Sequence, residues 1–287
     1  MALRVSVHLR PDGNATNFRS LCIASGLDAA GARVHYTSRE VPARPGTDLI
    51  LQTGFAPTVA LKDALDRGLP YLMGECPVFR HLPGINYNNW VSFTYGGLMG
   101  GGYHPPAPDE EVWHPELKPL KTRGPTIIFA QKPNDRSLRN INHHAWLNEK
   151  LAQYPDAEFR PHPIMRPGGL EDIEPIARVM KRCYRAITFN STAGGEALLE
   201  GCISKPEHPG STAYDVTDRE AWLHEVSWWG RPVEDMATQR MGVYILSGFE
   251  QARERALAGN QEIPRLKAAT VAHYYDCTDP RVLEYTR

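Results

Sequence analysis

The residues around positions 186–201 could bind a phosphorylated ligand. The stretch AITFNSTAGGEALLEG indicates a strand that passes through an Asn-Ser-Thr triplet (190–192) into a helix. A helix N-terminus offers unbonded N–H groups and the positive end of a dipole, worth ~1 kcal/mol toward an exposed anion. Gly194 and Gly195 would let a ligand approach the backbone closely, and Glu196 could accept hydrogen bonds from ribose hydroxyls. Taken alone, the same pattern is more often a helix with a hydroxyl cap and an acidic first turn.

Two further loops of the second half carry polar side chains directly after predicted strands. In FRPHP (159–163), His162 lies between two prolines, so its ring is held rigidly and could donate to a phosphate or sugar oxygen. An isolated loop histidine is more often a surface residue. In FAQKPNDRSL (129–138), Gln131 and Arg136 would lie beyond the carboxyl end of a strand, and an ordinary strand-to-helix loop explains them equally well.

Two carboxylates of the first half are candidates for a general base. Glu75 follows a predicted strand in GECPVFRH (74–81), and Arg80 and His81 come shortly after it. Asp12 follows the first predicted strand in RPDGN. A carboxylate at such a position can remove a proton when its pKa and geometry fit. The alternatives are structural, since Asp-Gly is a common turn pair and Glu75 could simply pair with Arg80.

The composition is that of a globular protein without a disulfide or zinc framework. Of the 287 residues, 41% are hydrophobic and 23% are charged, and the net charge of −1 argues against a surface that is uniformly a nucleic-acid clamp. The five cysteines are scattered without a CxxC pair, which is typical of reduced thiols, and no HExxH motif occurs. No apolar run resembles a signal sequence or a membrane span, so we expect a cytoplasmic protein.

Alternating strands and helices predict an α/β fold with parallel sheets, arranged as two doubly wound, Rossmann-like domains. The predicted strands are 3–9, 33–36, 48–54, 68–75, 90–97, 126–131, 157–163 and 184–189. Only helices are expected after 216, and a Gly- and Pro-rich segment (96–125) is interpreted as the interdomain connection. We therefore assign the first domain to 1–115, the second to 116–260, and a tail that could pack back on the first domain to 261–287. The two domains should face each other across a cleft, with ligands beyond the carboxyl ends of the strands.

Three motifs of the second half resemble those of GT-B glycosyltransferases. FRPHP, FNSTAGGEALLEG and REAWLHEVSWWGRPVEDMATQRMG are similar to the sugar-donor half of the capsule-polysaccharide and Kdo-transferase-like group. WVSFTYGGLMGGG and GPTIIFAQKPNDRSL further resemble small GT-B-like proteins of bacteriophages, some of which are associated with glycosylation of hydroxymethylated DNA bases. One departure is CISKPEHPG after Gly201, which is polar where the family continues with an apolar strand, so the last sheet edge is expected to be altered.

The resemblance implies a role for each matching position. Ser191 and Thr192 would hold the diphosphate of a nucleotide-sugar, and Glu196 would bind its nucleoside sugar. The full set implied for the sugar donor is Gln131, Arg136, His162, Asn190, Ser191, Thr192 and Glu196. Glu75 or Asp12 would deprotonate the acceptor hydroxyl, with Arg80 and His81 as acceptor contacts.

The implied activity is metal-independent transfer from a nucleotide-sugar, for which we expect a UDP-sugar, with no further cofactor. A helix terminus and basic groups would neutralise the leaving diphosphate, and the chain has no DxD-like carboxylate pair. The acceptor we favour is a 5-hydroxymethyl pyrimidine such as hydroxymethylcytosine in double-stranded bacteriophage DNA, which would place the protein in the host cytoplasm as a monomer or weak dimer. The alternatives are a surface-glycan transferase for capsule or lipopolysaccharide, and a non-catalytic two-domain nucleotide or sugar binder.

Overall fold

The computed structural model describes residues 2–12, 15–80, 82–86, 88–132, 135–138, 141–163, 174–263 and 279–283. The chain divides into two compact units. The first comprises Met1–His114 and Leu223–Pro264, and the second comprises Pro115–Trp222 and Arg265–Arg287. Each unit is built from helices and a largely parallel β-sheet, so the predicted α/β class is confirmed.

The first stretch of the chain alternates strands and helices. Its elements are β1 (Arg4–Leu9), α1 (Ala15–Ala29), β2 (Arg33–Ser38), β3 (Leu49–Thr53), α2 (Val59–Asp66), β4 (Tyr71–Glu75) and β5 (Trp90–Tyr95). Every residue of β3 and β5 is buried, as expected for strands covered on both faces of a sheet. Thr58 caps α2, because its side chain accepts a hydrogen bond from the Leu61 N–H at 3.1 Å.

The middle stretch forms a second sheet. Its elements are β6 (Thr126–Phe129), α3 (His143–Gln153), β7 (Glu158–Arg160), α4 (Ile176–Arg182), β8 (Arg185–Thr188), α5 (Ala193–Leu199) and β9 (Ile203–Pro206). The four strands are parallel and lie in the order β7-β6-β8-β9. β9 lies in the polar segment where an altered sheet edge was expected, and it forms a partly exposed edge strand paired with β8.

The last stretch returns to the first sheet. Its elements are α6 (Arg219–Trp229), β10 (Gly230–Pro232), α7 (Val233–Met236), α8 (Gln239–Ser247), α9 (Phe249–Leu257) and α10 (Pro280–Leu283). Only helices were predicted here, but β10 pairs antiparallel with β5. The six-stranded sheet has the order β10-β5-β4-β3-β1-β2, with β1 to β4 parallel. Helices α1, α8 and α9 contribute to the core on one face of this sheet, and α2 contributes to the core on the other.

Residues 223–260 belong to the first unit, whereas the sequence analysis assigned them to the second domain. The contact between α1 and α8 accounts for the difference. A Cβ atom on Gly242 would lie 1.9 Å from the Gly26 carbonyl oxygen, so the two helices touch through their backbones. The Tyr95 hydroxyl adds a hydrogen bond to the Ile245 carbonyl at 2.9 Å, which ties β5 to α8.

The described residues of the predicted tail divide between the two units. In the first unit, the Gln261 side chain donates to the Leu69 carbonyl at 3.0 Å. In the second unit, Arg281 of α10 donates to the carbonyls of Leu151 and Ala157 at 2.8 and 2.9 Å. The beginning of the tail thus lies on the first unit and its described end on the second.

Candidate functional site

The residues predicted to bind a sugar donor lie at one edge of the sheet in the second unit. Because β6 to β9 run parallel, the segments that follow them leave the sheet at the same edge. Ligands of parallel α/β sheets bind beyond this edge. The fold therefore gathers Gln131, His162, the triplet 190–192 and Glu207 there.

The N-terminus of α5 differs from the predicted array of unbonded N–H groups. The Ser191 Oγ accepts a hydrogen bond from the Ala193 N–H at 3.2 Å. The Thr192 carbonyl accepts from the Gly195 and Glu196 N–H groups at 3.0 and 3.2 Å. These N–H groups are engaged within the loop, and α5 has only seven residues to sum into a dipole. The helix terminus is therefore a weaker anion site than the sequence suggested.

The hydroxyl groups beside α5 carry the remaining hydrogen-bonding capacity of this loop. Ser191 accepts one hydrogen bond and retains its own O–H donor. The Oγ1 atoms of Thr192 and Thr212 are buried and have no hydrogen-bond partner among the described residues. Buried hydroxyls usually find a protein or water partner, so these two atoms mark a polar region against α5. Glu196, one turn into α5, is 7% exposed.

The two glycines of α5 face protein atoms of the same unit and not the open space that the predicted approach of a ligand would need. A Cβ atom on Gly194 would lie 3.3 Å from both Ser204 Oγ and Ala213 Cβ. A Cβ atom on Gly195 would lie 3.4 Å from the Trp222 ring and 3.5 Å from Thr212 Oγ1. Both positions therefore face other parts of the same unit, which is a correction to the sequence interpretation.

Gln131 and Asn190 bind each other. The Gln131 side-chain amide donates to Asn190 Oδ1 at 2.8 Å, and the Asn190 backbone N–H donates to Gln131 Oε1 at 3.1 Å. Asn190 Nδ2 also donates to the Ser137 carbonyl. The two side chains thus fix the loop after β8 against the loop after β6, and their direct role is to position Ser191 and Thr192.

His143 lies at the same sheet edge, and the sequence analysis did not select it as a candidate residue. Its Nε2 accepts a hydrogen bond from the Gln131 backbone N–H at 3.1 Å, and its ring stacks on Trp146 at a centroid distance of 5.2 Å. Burial lowers the pKa of His143 to about 4, and the charges of His144 and His162 act in the same direction. The ring is therefore neutral near pH 7. No local sequence pattern predicts this role of His143, because its hydrogen-bond partner, the Gln131 N–H, lies in a different segment.

A buried lysine fixes the segment after β9. The Lys150 side chain is 8% exposed, and its Nζ lies 2.7 Å from Glu207 Oε1. Trp146 Nε1 donates to the other Glu207 oxygen at 2.8 Å. Burial acts to lower the pKa of Lys150, but its hydrogen bonds with Glu149 and Glu207 outweigh that effect and the pKa is raised. The ammonium group therefore stays charged and holds Glu207 beside the same sheet edge.

In the first unit, Glu75 ends β4 and lies in a charged environment. Burial raises the pKa of the adjacent Cys76 thiol, the Glu75 carboxylate raises it further, and the charges of Arg19 and Arg80 oppose the increase. These four side chains therefore lie close together at the carboxyl end of β4. Glu75 itself is partly buried.

Asp12, the competing carboxylate, is more exposed. Its side chain retains 52% of its accessible surface and lies 2.7 Å from Arg10 Nη2. A second contact joins Arg10 Nε to Asp12 Oδ1 at 3.1 Å. Asp12 is thus held in a two-point ion pair with a neighbouring residue of its own turn.

Two predicted site residues lie wholly or partly outside the described residues. His81 lies outside the described residues, and so does the side chain of Arg136, whose backbone is part of a 3-10 helix (Arg136–Leu138). In the described part of the chain, no group of three or more His, Cys, Asp or Glu residues could hold a metal ion. Among those same residues, none of the helices combines the length and apolar character that crossing a membrane requires.

No protein-family model and no curated protein matches this sequence. Among solved structures, the chain is similar to two structures of KpsC from Thermosulfurimonas dismutans. The β-Kdo 2,4 transferase has 14% sequence identity and a TM-score of 0.47, over 83% of this chain and 98% of that one. The β-Kdo 2,7 transferase has 12% identity and a TM-score of 0.49, over 84% and 99%. The glycosyltransferase SnogD from Streptomyces nogalater has 14% identity and a TM-score of 0.23, over 92% and 96%.

Proposed function

We propose that this protein is a glycosyltransferase of GT-B type that moves a sugar from a nucleotide-sugar to a hydroxyl acceptor. The observation that carries the proposal is the loop 190–192 at the carboxyl edge of a parallel sheet, with the buried carboxylate of Glu196 one turn into α5. This arrangement agrees with the Asn-Ser-Thr and Glu motif that the sequence shares with the family.

The second unit would bind the sugar donor. Ser191 would donate its hydroxyl hydrogen to a diphosphate oxygen, since its Oγ keeps that hydrogen after accepting from Ala193. Glu196 would accept from the ribose hydroxyls, because a carboxylate offers acceptor oxygens only. His162 would contact the phosphate or the transferred sugar. Gln131 and Asn190 would hold the loop in place through their mutual hydrogen bonds.

The first unit would supply the base. The acceptor hydroxyl would pass its proton to Glu75 while its oxygen attacks the anomeric carbon and the bond to the diphosphate oxygen breaks. Glu75 is preferred over Asp12, because Asp12 is already held by two contacts with Arg10. Those two contacts occupy the carboxylate oxygens that would have to receive the proton.

For the acceptor, we propose a 5-hydroxymethyl pyrimidine in DNA, with a surface glycan as the alternative. Resemblance to phage proteins supports the DNA acceptor, and the net charge of −1 weighs against it. The two acceptors differ in an observable way. Transfer to DNA adds the mass of one sugar to a nucleoside, whereas transfer to a glycan adds it to an oligosaccharide.

The test is a transfer assay with UDP-, GDP-, TDP- and CMP-activated sugars. Each donor is incubated with hydroxymethylated DNA, unmodified DNA or an oligosaccharide acceptor, and the products are measured by mass spectrometry. Release of free nucleotide together with a mass gain in one acceptor is the expected result. Absence of both with every donor would exclude the transferase proposal. Persistent nucleotide-sugar binding without turnover would instead support the non-catalytic binder.

The base is tested by Glu75→Gln, which keeps the size of the side chain but removes its basicity. We expect kcat to fall by ~10²–10⁴-fold with KM little changed, the usual contribution of a general base. Asp12→Asn should leave kcat within a few-fold of the wild type. Glu40→Gln is the matched control, since Glu40 is an exposed carboxylate paired with Arg39. Loss of kcat in Asp12→Asn but not in Glu75→Gln would reverse the assignment.

A further inference from the structure

Trp113 is a large aromatic side chain that remains 54% exposed. Its ring meets the ring of Trp90 edge to face, with a centroid distance of 5.2 Å and an interplanar angle of 61°. Trp90 is buried, so it gives Trp113 a firm base within the first unit. A single exposed apolar residue needs no special explanation. The position and the neighbours of Trp113 therefore decide whether it has a role.

The strand register places Trp90 beside the proposed base. Glu75 pairs with Ser92 of β5, so the side chains of these two residues lie on the same face of the sheet. Side chains alternate along a strand, and Trp90, two residues before Ser92, points to that face as well. Glu75 and Trp90 are thus diagonal neighbours on adjacent strands, ~7–8 Å apart. Because β5 runs antiparallel to β4, Trp90 lies beyond the carboxyl end of β4, where ligands of such sheets bind.

Trp113 lies one step further from the base than Trp90 does. The step from Glu75 to Trp90 is ~7–8 Å, and the rings of Trp90 and Trp113 are 5.2 Å apart, so Trp113 is separated from Glu75 by a distance on the order of 10 Å. A single sugar unit that reacts at Glu75 is too small to reach Trp113 as well. A short oligosaccharide spans this distance, with one unit at Glu75 and a later unit on the Trp113 ring.

The residues just before Trp113 decide which kind of ring it suits. Asp109, Glu110 and Glu111 are consecutive exposed carboxylates, and Glu110 pairs with Arg240. Such an acidic segment repels a phosphate backbone, since nucleic-acid binding depends on lysine and arginine. Carboxylates do accept hydrogen bonds from hydroxyl groups. An aromatic face beside hydroxyl acceptors matches a sugar unit, which has an apolar C–H face and a rim of hydroxyl groups.

We propose that Trp113 is a stacking platform for one sugar unit of an oligosaccharide acceptor, close to the unit whose hydroxyl group Glu75 would deprotonate. Its role as an acceptor site rests on the proposed transferase activity, and the acidic segment favours the glycan over DNA as that acceptor. The binding of a sugar to Trp113 does not depend on turnover, so it can be measured separately.

The experiment measures sugar binding without a nucleotide-sugar. Short oligosaccharides of glucose, mannose, galactose or N-acetylglucosamine are titrated into the full-length protein by calorimetry. We expect Trp113→Ala to weaken the binding of the best ligand about three- to tenfold, the usual contribution of one aromatic contact. Trp113→Phe should lose less than about threefold, because it keeps an aromatic face. Leu257→Ala is the matched control, since Leu257 is also an exposed apolar side chain of the first unit.

Two further measurements separate this site from the proposed donor site. Acrylamide quenching of tryptophan fluorescence should decrease when the oligosaccharide binds, and this decrease should be absent in Trp113→Phe. Ser191→Ala should leave oligosaccharide binding unchanged, because Ser191 belongs to the proposed sugar-donor site of the other unit. Sugar binding that depends on Trp113 supports the platform even when no sugar is transferred, and the absence of transfer then counts against the proposed function alone.

Three results would overturn the proposal. The first is unchanged oligosaccharide affinity in Trp113→Ala that circular dichroism shows to be folded. The second is no binding of any of the oligosaccharides to the wild-type protein at millimolar concentration. The third is binding of hydroxymethylated duplex DNA that Trp113→Ala weakens while oligosaccharide binding stays unchanged, which would assign the exposed ring to an unstacked base instead of a sugar.

Discussion

Replacement of Gly242 by alanine should destabilise the first unit, although alanine is the better helix former. Gly242 lies inside α8, where intrinsic propensity alone would make alanine more stable by ~1 kcal/mol. A Cβ atom there would lie 1.9 Å from the Gly26 carbonyl oxygen, 2.5 Å from the carbonyl carbon and 2.8 Å from Ala30 Cβ. The first two contacts are with backbone atoms, which cannot rotate away. Helix α8 must therefore move away from α1.

The size of the effect follows from this conflict. Overpacking typically costs ~1–3 kcal/mol, and a clash with backbone belongs at the upper end of that range or above it. Movement of α8 also loosens Met241 and Ile245, which are buried in the same core. After the propensity gain is subtracted, we expect a net loss of about 2 kcal/mol. For a unit of this size the melting temperature should fall by roughly 4–8 °C.

The assay is urea and thermal unfolding followed by circular dichroism. Val243→Ala is the control, since it places the same residue one position along α8 at a side chain that is 54% exposed. Its stability should stay within ~0.5 kcal/mol of the wild type. A Gly242→Ala variant as stable as the wild type, or more stable, would show that the α1–α8 contact is not as close as described, and would remove the physical reason for assigning residues 223–260 to the first unit.

Three further predictions concern the second unit. Gly195→Ala should change the free energy of unfolding by less than ~1 kcal/mol, because its new Cβ would make ordinary contacts at 3.4 Å and beyond. Its affinity for a nucleotide-sugar, measured by calorimetry, should change less than threefold. A large loss of affinity would instead indicate that the ligand approaches the backbone closely at this position. Glu207→Gln should lower the free energy of unfolding in urea by ~1–3 kcal/mol, because it leaves the buried Lys150 ammonium with a weaker partner. Glu149→Gln, at the exposed partner of Lys150, should lower it by less than ~0.5 kcal/mol. Equal losses would contradict the assignment of Glu207 as the stabilising partner. Burial lowers the pKa of His143 to about 4, below its ordinary value of 6.5. As the pH falls from 6.5 to 4, the unfolded chain is protonated at His143 before the folded chain is, so the free energy of unfolding decreases over this range. This contribution is up to ~3 kcal/mol, and His143→Gln should therefore show a shallower loss of stability across that window than the wild type; parallel curves would refute it.

Local sequence patterns predicted some features of the candidate site and missed others. The loop 190–192 was found from its sequence because strand, polar turn and helix are consecutive, and each has a local signature. The roles of Gly194 and Gly195 were misjudged, since a glycine has the same local signature whether ligand or protein approaches it. The tertiary structure shows that protein atoms occupy that space, those of Ser204 and Ala213 at Gly194 and those of Trp222 and Thr212 at Gly195.

His143 shows the limit of local patterns more sharply. It lies outside the motifs that the sequence analysis quoted, and it gains its character from a partner in another element. His143 becomes a neutral acceptor because the Gln131 N–H points at it from the loop after β6. Likewise, β10 was not predicted, because it forms only by pairing with a sheet whose other strands come from the beginning of the chain.

The sequence by itself determined the α/β class, the order of most strands and helices, and the loops in which polar side chains follow strands. These features depend on the apolar periodicity of short segments, which survives without any knowledge of the partner segment. The tertiary structure alone decided that residues 223–260 complete the first unit, that Gln131 and Asn190 hold each other, and that β10 pairs with β5. Each of these depends on packing or hydrogen bonding between segments far apart in the chain, where side-chain volume and strand register, and not local periodicity, select the partner.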